Sequence, residues 1–284
     1  MTSNGALCAA PFDERRYAAA LGRCGIGAAL RVYDRVDSTM VVADELLRAE
    51  GSSRAHGKLV LAETQTAGQG RRGRSWQSEA GNLYFSLVWA PQPAASPAEM
   101  LPELVRLNLA TGVAVVHAVA AAGFPGARIK WPNDVYHGTP PRKLSGMLVN
   151  FNGQDAAVLG VGINVLQDMP EAGTAVSLAM LQSESTNAKV PVREDVLAFF
   201  CKELERLMAL SNAAVLAEYE ENDFLRGKTI RVHHKTREEH DARDFLAEVL
   251  GVDSSGMLRV RSLESSGKEV LLSGEEVSIT PQRS

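Results

Sequence analysis

The sequence predicts an α+β protein, a mixed or antiparallel sheet with helices, followed by a small C-terminal β-barrel. Three observations carry this. Strand-like and helix-like segments mix without a strict β-α alternation, and two strands meet at Asn152-Gly153, a strong hairpin signal. Residues 101–122 are apolar nearly all round, as a helix buried against a sheet should be. From Gly227 onward the helical texture gives way to short alternating strands, the pattern of a small barrel.

Each element has a local reason. Residues 13–21 are amphipathic and end at Gly22, Gly25 and Gly27. Residues 32–36 read as a short strand, and Asp37-Ser38-Thr39 offers side-chain oxygens to cap the helix predicted over 40–49. That helix turns Val42, Ala43, Leu46 and Leu47 inward. Residues 58–64 and 82–89 are strands separated by a glycine- and arginine-rich loop, and 91–97 is a loop with three prolines. A strand over 128–131 stops at Pro132, which lacks a donor, and 135–142 is expected to be loop. Strands follow over 144–151 and 157–165, then helices over 192–210 and 212–220. The barrel strands are 229–233, 247–252, 257–261, 270–272 and 276–280, with turns at 253–256 and 265–268.

Composition narrows the class. The 284 residues are 45% hydrophobic and 23% charged, an ordinary globular balance. A net charge of −4 gives no bulk footprint for nucleic acid. The three cysteines, Cys8, Cys24 and Cys201, are scattered and have no metal-ligand spacing, which points to idle thiols in a reducing, cytoplasmic setting. No basic segment followed by an apolar run opens the chain, so no signal peptide or membrane span is expected. The histidines are spread out; His56 and His117 stand alone, and His233, His234 and His240 fall in the barrel. No Ser-His-Asp or Cys-His set and no protein-made metal cage is expected.

Two stretches carry chemistry. Gly68-Gln69-Gly70-Arg71-Arg72-Gly73-Arg74-Ser75-Trp76 packs three arginines and three glycines between two strands. Glycines let backbone N–H groups approach an anion, and guanidinium forks grip carboxylate or phosphate. On charge alone it also reads as a solvated basic hairpin. It is neither a Walker A loop nor a dinucleotide fingerprint, since a strand follows. Lys130-Trp131-Pro132-Asn133-Asp134 presents a cation, an amide and a carboxylate at a strand tip, or a plain strand-ending turn. Lys143 follows, at a position where lysines commonly snorkel into solvent. In Gly160-Val161-Gly162-Ile163-Asn164-Val165 the glycines imply close approach by a ligand or another backbone. Asn164 suits a nucleotide edge or a satisfied buried amide.

These ordered motifs, with Arg142-Lys143-Leu144-Ser145-Gly146-Met147-Leu148 and Asp37-Ser38-Thr39, resemble those of the biotin protein ligases. The resemblance spans about residues 33–180 plus the barrel. It implies a class II synthetase-like biotin/lipoate ligase core over 31–226, an N-terminal extension over 1–30 and an SH3-like barrel over 227–284. It further implies a two-step reaction. Biotin and ATP give biotinyl-5′-adenylate and pyrophosphate, and a lysine of a biotin carboxyl carrier domain then takes the acyl group. Arg71, Lys143 and Asp134 would be catalytic. Ser38, Thr39, Met40, Gln65, Gly68, Gln69 and Gly70, with Arg71 and Lys143, would hold biotin. Arg71, Arg72, Trp76, Asn133 and Asn164 would hold ATP and the adenylate, with magnesium carried by the phosphates. No nucleic acid or membrane partner is implied, and a homodimer is left open. The chain departs from the family at Met40, where Asn is usual, at Gln69, where Arg is frequent, and in the long link around Thr139-Pro140-Pro141. With about 30 residues before the first catalytic strand, the resemblance points to the branch without a DNA-binding domain. Lipoate ligases and octanoyltransferases share this fold and would attach a different acid. A non-catalytic biotin-responsive binding protein is the reading from another class.

Overall fold

The structure, a computed structural model, describes residues 10–91, 96–167, 174–184, 190–234, 244–264, 267–274 and 277–281. Cys8, His240, Glu276 and most of the proline-rich loop lie outside them. The first sheet has seven strands in the order β1-β2-β3-β7-β6-β5-β4. They are β1 (Leu30–Val36), β2 (Leu59–Gln65), β3 (Leu83–Trp89), β4 (Arg128–Lys130), β5 (Asp134–His137), β6 (Arg142–Phe151) and β7 (Ala157–Ile163). Only β1 and β2 run parallel, which is possible because the helix α2 (Thr39–Glu50) carries the chain back between them. All other neighbours pair antiparallel. The sheet is therefore mixed, as predicted. The short strand β5 is a correction: residues 134–137 pair on both sides and are not loop. Four residues with Tyr and His give too weak a period-2 signal to stand out.

The two faces of the sheet are covered differently. α2 packs on the face over β2, β3 and β7, with Met40, Ala43, Leu46 and Leu47 buried and its Ser38 cap accepting from the Met40 amide. The other face is covered by α4 (Pro97–Ala121) and α6 (Arg193–Met208), with α1 (Glu14–Leu21) against α6 and α7 (Asn212–Glu221) against α4. α4 is the one helix among the described residues long and apolar enough to cross a membrane. Its apolar surface is instead used against the sheet and against α6 and α7. Two short helices, α3 (Ser52–Ala55) and α5 (Leu178–Ser183), complete the layer structure. Arg193 is 3% exposed yet satisfied: its guanidinium pairs with Glu63 and donates to the carbonyls of Asn82 and Ala10. Cys24 and Cys201 are buried free thiols whose pKa values burial pushes up, to about 11 and about 12, which disfavours the thiolate at neutral pH.

The C-terminal strands β8 (Thr229–His234), β9 (Phe245–Val252), β10 (Leu258–Ser262), β11 (Glu269–Leu272) and β12 (Val277–Pro281) form a second, antiparallel sheet in the order β11-β10-β9-β8-β12. Its apolar face, with Ile230, Val249, Leu258 and Val260, is continuous with the main core. The joint is made by the segment after α7. Asp223 bridges Ile129, Phe224 donates to the Ile129 carbonyl at 2.7 Å, and the Phe224 ring stacks on Tyr136. The exposed edge of β4 is thereby covered by the linker itself.

Burial raises the Asp223 carboxyl to about 6, against the help of the Leu225 and Arg226 amides. A folded-state pKa above the unfolded one means that the folded protein binds this proton more tightly. The group's contribution to stability is present below about pH 4 and is lost as pH rises through about 6. Asp223→Asn keeps an acceptor for the Leu225 amide and removes the buried charge. It should stabilise the protein at pH 7 by about 2–3 kcal/mol, with the gain shrinking toward pH 4. Urea unfolding of both proteins at a series of pH values measures this; a gain independent of pH contradicts it.

Candidate active site

One row of cross-strand partners builds the site. Lys130 pairs with Asp134, Asp134 with Gly146, Gly146 with Gly162, and Gly162 with Tyr84. These residues lie side by side across five antiparallel strands and, by the pleat, on one face. Lys143 is three residues from Gly146 and would ordinarily point to the opposite face. A register shift between Val135 and Tyr136 sets Tyr136 opposite Lys143, so that Leu144 is skipped. A bulge reverses the alternation, and Lys143 joins the row, with its Nζ 2.7 Å from Asp134 Oδ1. The next row, Leu148-Gly160-Ser86, continues the same face.

Glycines at the centre of a strand leave a trough, and two side chains fill it. A Cβ on Gly162 would lie 2.6 Å from the Trp76 ring, and one on Gly146 would lie 2.7 Å from the same ring. A Cβ on Gly160 would lie 2.7 Å from Met40 Sδ. The sequence implied a ligand or another backbone at Gly160 and Gly162; the close approach is made instead by side chains, a thioether and an indole. The Lys143 ammonium sits 5.0 Å from the centre of the Trp76 ring. The Trp76 indole N–H is buried and has no acceptor among the described residues, an orphan donor at the centre of the trough.

The loop of residues 68–76 closes over this floor as a miniature hairpin. Gly70 donates to Arg74 O at 2.7 Å and Trp76 to Gly68 O at 2.8 Å, with Gln69 bridging Ser75. Its tip, Arg71–Gly73, is a tight turn in which Arg72 takes a left-handed conformation (φ 62) uncommon for a side-chain-bearing residue. The Arg72 guanidinium donates to the Gly274 carbonyl of the second sheet. Arg71 donates to Asn133 Oδ1 at 3.3 Å, and Asn133 is fixed by bonds in both directions with the Met147 backbone. Gly68 is needed for contact, since a Cβ there would meet Trp76 O at 2.5 Å.

The far end of the cleft is uncharged and strongly hydrogen-bonded. Gln65 Oε1 accepts from the Thr39 amide at 2.8 Å and from the Thr39 hydroxyl, while Gln65 Nε2 donates to Ser78 Oγ. Ser86 Oγ donates to Thr39 Oγ1 at 2.8 Å. A relay of this kind holds each polar group in one orientation. The cleft between the two ends has a free volume of about 140 Å³. Its charged rim, with Arg71, Arg74 and Lys143 against Asp134, suits two anions brought together. Its polar interior suits a neutral ring with donors and acceptors.

Among the expected residues, Ser38, Thr39, Met40, Gln65, Gln69, Gly70, Arg71, Trp76, Asn133, Asp134 and Lys143 line this one cleft. Gly68 supports it from behind, and Arg72 points to the second sheet. Asn164 lies outside, 3% exposed, with its amide donating to the carbonyls of Lys143 and Val176. There it fixes the backbone that carries Lys143. Ser78 and Ser86 were not foreseen; a serine inside the otherwise apolar β3 was the available signal for Ser86. A group with metal-ligand types, His117, Glu203 and Glu218, joins α4, α6 and α7 away from the cleft. Arg206 already pairs with both carboxylates, and the His117 and Arg206 contacts hold Glu203 down to about 2.

The floor, the basic hairpin and the hydrogen-bonded end define an anion-binding ligand cleft on a mixed sheet. Residues 32–168 match the biotin/lipoate A/B protein ligase family. A biotin--[acetyl-CoA-carboxylase] ligase of Mycobacterium tuberculosis is 32% identical over 275 residues, covering 94% of this chain and 95% of that one. The bifunctional ligase/repressor BirA of Escherichia coli is 33% identical over 199 residues, 68% of this chain but only 57% of that longer protein. Among solved structures, the biotin protein ligase of Aquifex aeolicus in complex with biotin and ATP superposes with a TM-score of 0.69 at 27% identity, covering 89% of this chain and 99% of that one. The chain belongs to the biotin/lipoate protein ligase family, and its similarity over nearly full length is to biotin ligases.

The glycine floor makes a direct prediction. Gly162→Ala should push the Trp76 ring off the sheet and away from Lys143. Of the three tryptophans, Trp89 and Trp131 are 6% and 3% exposed, so a rise in acrylamide quenching of emission reports Trp76. Unchanged quenching in the folded variant contradicts the packing described.

Proposed function

We propose that this protein is an ATP-dependent biotin ligase. It condenses biotin with ATP to biotinyl-5′-adenylate and passes the acyl group to a lysine of a biotin carboxyl carrier domain. The observation that supports this most is the convergence of Arg71 and Lys143, from separate motifs, on one rim of a cleft whose other end is a neutral hydrogen-bonded recess. The relatives supply the acid: the Aquifex ligase was solved with biotin and ATP.

The residues divide the work. Thr39 and Gln65 present fixed donors and acceptors to the ureido ring, with Ser38 beside them and Met40 supplying an apolar wall. Gln69, Gly70 and the hairpin backbone close over the ligand, and Gly68 keeps that hairpin on the sheet. Lys143 and Arg71 stand where the carboxylate and the α-phosphate meet, and neutralise the charge that develops there. Trp76 offers its ring and its unpaired N–H to the adenylate, with Asn133, Arg72 and, from behind, Asn164 shaping the nucleotide side. Asp134 orients Lys143, and it is placed to receive the incoming lysine ammonium. Among the described residues the cleft holds one carboxylate, already paired with Lys143, which fits a magnesium ion that arrives on ATP and is held by phosphate oxygens. We place the protein in the cytoplasm, without nucleic acid or membrane partners, and leave a homodimer open.

Incubation of a carrier domain with ATP and either biotin or lipoate, followed by mass measurement, tests the reading. Adduct formation with biotin and not lipoate is expected; the reverse overturns the choice of acid. Arg71→Ala and Lys143→Ala should each reduce biotin-dependent ATP–pyrophosphate exchange by about a hundredfold or more. Exchange near the wild-type rate in both variants removes these residues from the reacting centre.

A further inference from the structure

The neutral end of the cleft has two halves of different chemistry. Ser86 of β3 and Gly160 of β7 are cross-strand partners, so they lie side by side on the cleft face, about 5 Å apart. Thr39 stands over Ser86, with its hydroxyl oxygen 2.8 Å from Ser86 Oγ, and Gln65 extends that half as part of the hydrogen-bonded relay. Met40, the next residue of α2, stands over Gly160. Its Sδ and Cγ lie 2.7 and 2.8 Å from where a Cβ on Gly160 would be, so the thioether takes the space of a β7 side chain. Leu148, the partner of Gly160 on β6, packs against the same apolar group and also lines the cleft. Met40 is 8% exposed and shares its core cluster with Ala43, Leu46 and Leu47, so α2 holds its backbone while its side chain forms cleft wall.

We propose that Met40 is a specificity-determining residue that reads the sulfur-containing ring of biotin, on the half of the recess beside Thr39 and Gln65. This rests on the biotin reading above and adds how the second ring is selected. The two fused rings of biotin differ as the two halves of the recess do. The ureido ring carries N–H donors and a carbonyl acceptor, whereas the other ring is a thioether with methylenes and has no donor. Neighbouring strands are spaced so that one fused bicycle can lie across them, with one ring over each. The reverse placement would press the ureido groups against Met40 and Leu148 and leave them unpaired, which is costly in a closed recess. Met40 is also where the chain departs from the usual Asn of the family. A thioether in place of an amide makes this half of the recess apolar. Its unbranched chain adapts closely to an apolar ring edge and offers nothing to a polar one. An acid whose second ring bears strong acceptors should therefore be rejected at this wall.

The test compares biotin with biotin sulfone, which adds two acceptor oxygens to the ring sulfur and leaves the ureido ring intact. Calorimetry on the full-length protein without ATP gives the ratio of the two affinities. Wild-type protein should bind biotin about tenfold or more tighter than the sulfone. Met40→Gln keeps the length of the side chain and adds a donor, and it should narrow that gap to about threefold. Met40→Leu stays apolar and should keep the gap. Met40→Ala makes room without adding a polar atom; it should narrow the gap too, and it keeps the test open if Gln disturbs α2. Folded Gln and Ala variants that retain the wild-type gap overturn the assignment. So does a Leu variant that narrows the gap as much as Gln, because polarity is then not the cause. Wild-type protein that binds neither acid overturns the biotin reading and this assignment together. Biotin binding without ATP–pyrophosphate exchange removes adenylation alone, and the affinity ratio still decides the role of Met40.

Discussion

The contact on which the site depends is the Trp76 indole lying flat on Gly146 and Gly162. Every other feature is placed by it. The indole can reach the sheet only because two adjacent strands both present hydrogen at that row. Its backbone anchors the return limb of the basic hairpin, and its ring carries the Lys143 ammonium. A side chain at either glycine would lift the indole, open the hairpin and release Lys143 together. The glycines weaken strands that would otherwise be continuous apolar runs, and such positions are retained where close approach is required.

A second constraint is mechanical. The hairpin and the Trp131-Pro132-Asn133 turn are both held from outside the first sheet: Arg72 bonds the Gly274 carbonyl and Trp131 bonds that of Gly256. The second sheet is itself fixed by the Asp223 bridge to β4, the Phe224–Tyr136 stack and a shared core. Tyr136 stands beside the Lys130 ammonium, and Lys130 pairs with Asp134. The joint between the sheets and the Lys130–Asp134 row are thus two ends of one packed unit. The second sheet is coupled to the hairpin and to the Trp131 turn through the backbone carbonyls of Gly274 and Gly256.

The sequence made some of this readable and hid the rest for definable reasons. Strong-period elements such as α6 and the β6–β7 hairpin lie close to where the pattern puts them. The two signature loops and the two β7 glycines are local in sequence, so their chemistry could be read directly. What could not be read is pairing across distance. The skipped residue at Leu144 that brings Lys143 onto the face of Asp134 depends on β5, a strand too short to announce itself. Gln65 and its partners Thr39 and Ser78 come from three separate segments. Asn164 carried two readings, and only its neighbours, the Lys143 and Val176 carbonyls, show that its amide faces inward.

Electrostatics explains why these pieces must be assembled together. The chain carries a net charge of −4, yet Arg71, Arg74 and Lys143 share one rim, where Asp134 is the one carboxylate among the described residues. Like charges held this close repel, and partial burial deepens the penalty. Nearby, burial is the main influence lowering the Lys130 pKa, with Arg74 adding to it and Asp134 opposing it. Among the described residues, Asn133 accepts from Arg71, a carbonyl accepts from Arg72, the Trp76 ring and the Asp134 carboxylate hold Lys143, and Tyr136 stands by Lys130. Contacts of this kind hold the basic side chains at fixed places on the rim, an arrangement that suits the approach of anions without reorganising the protein.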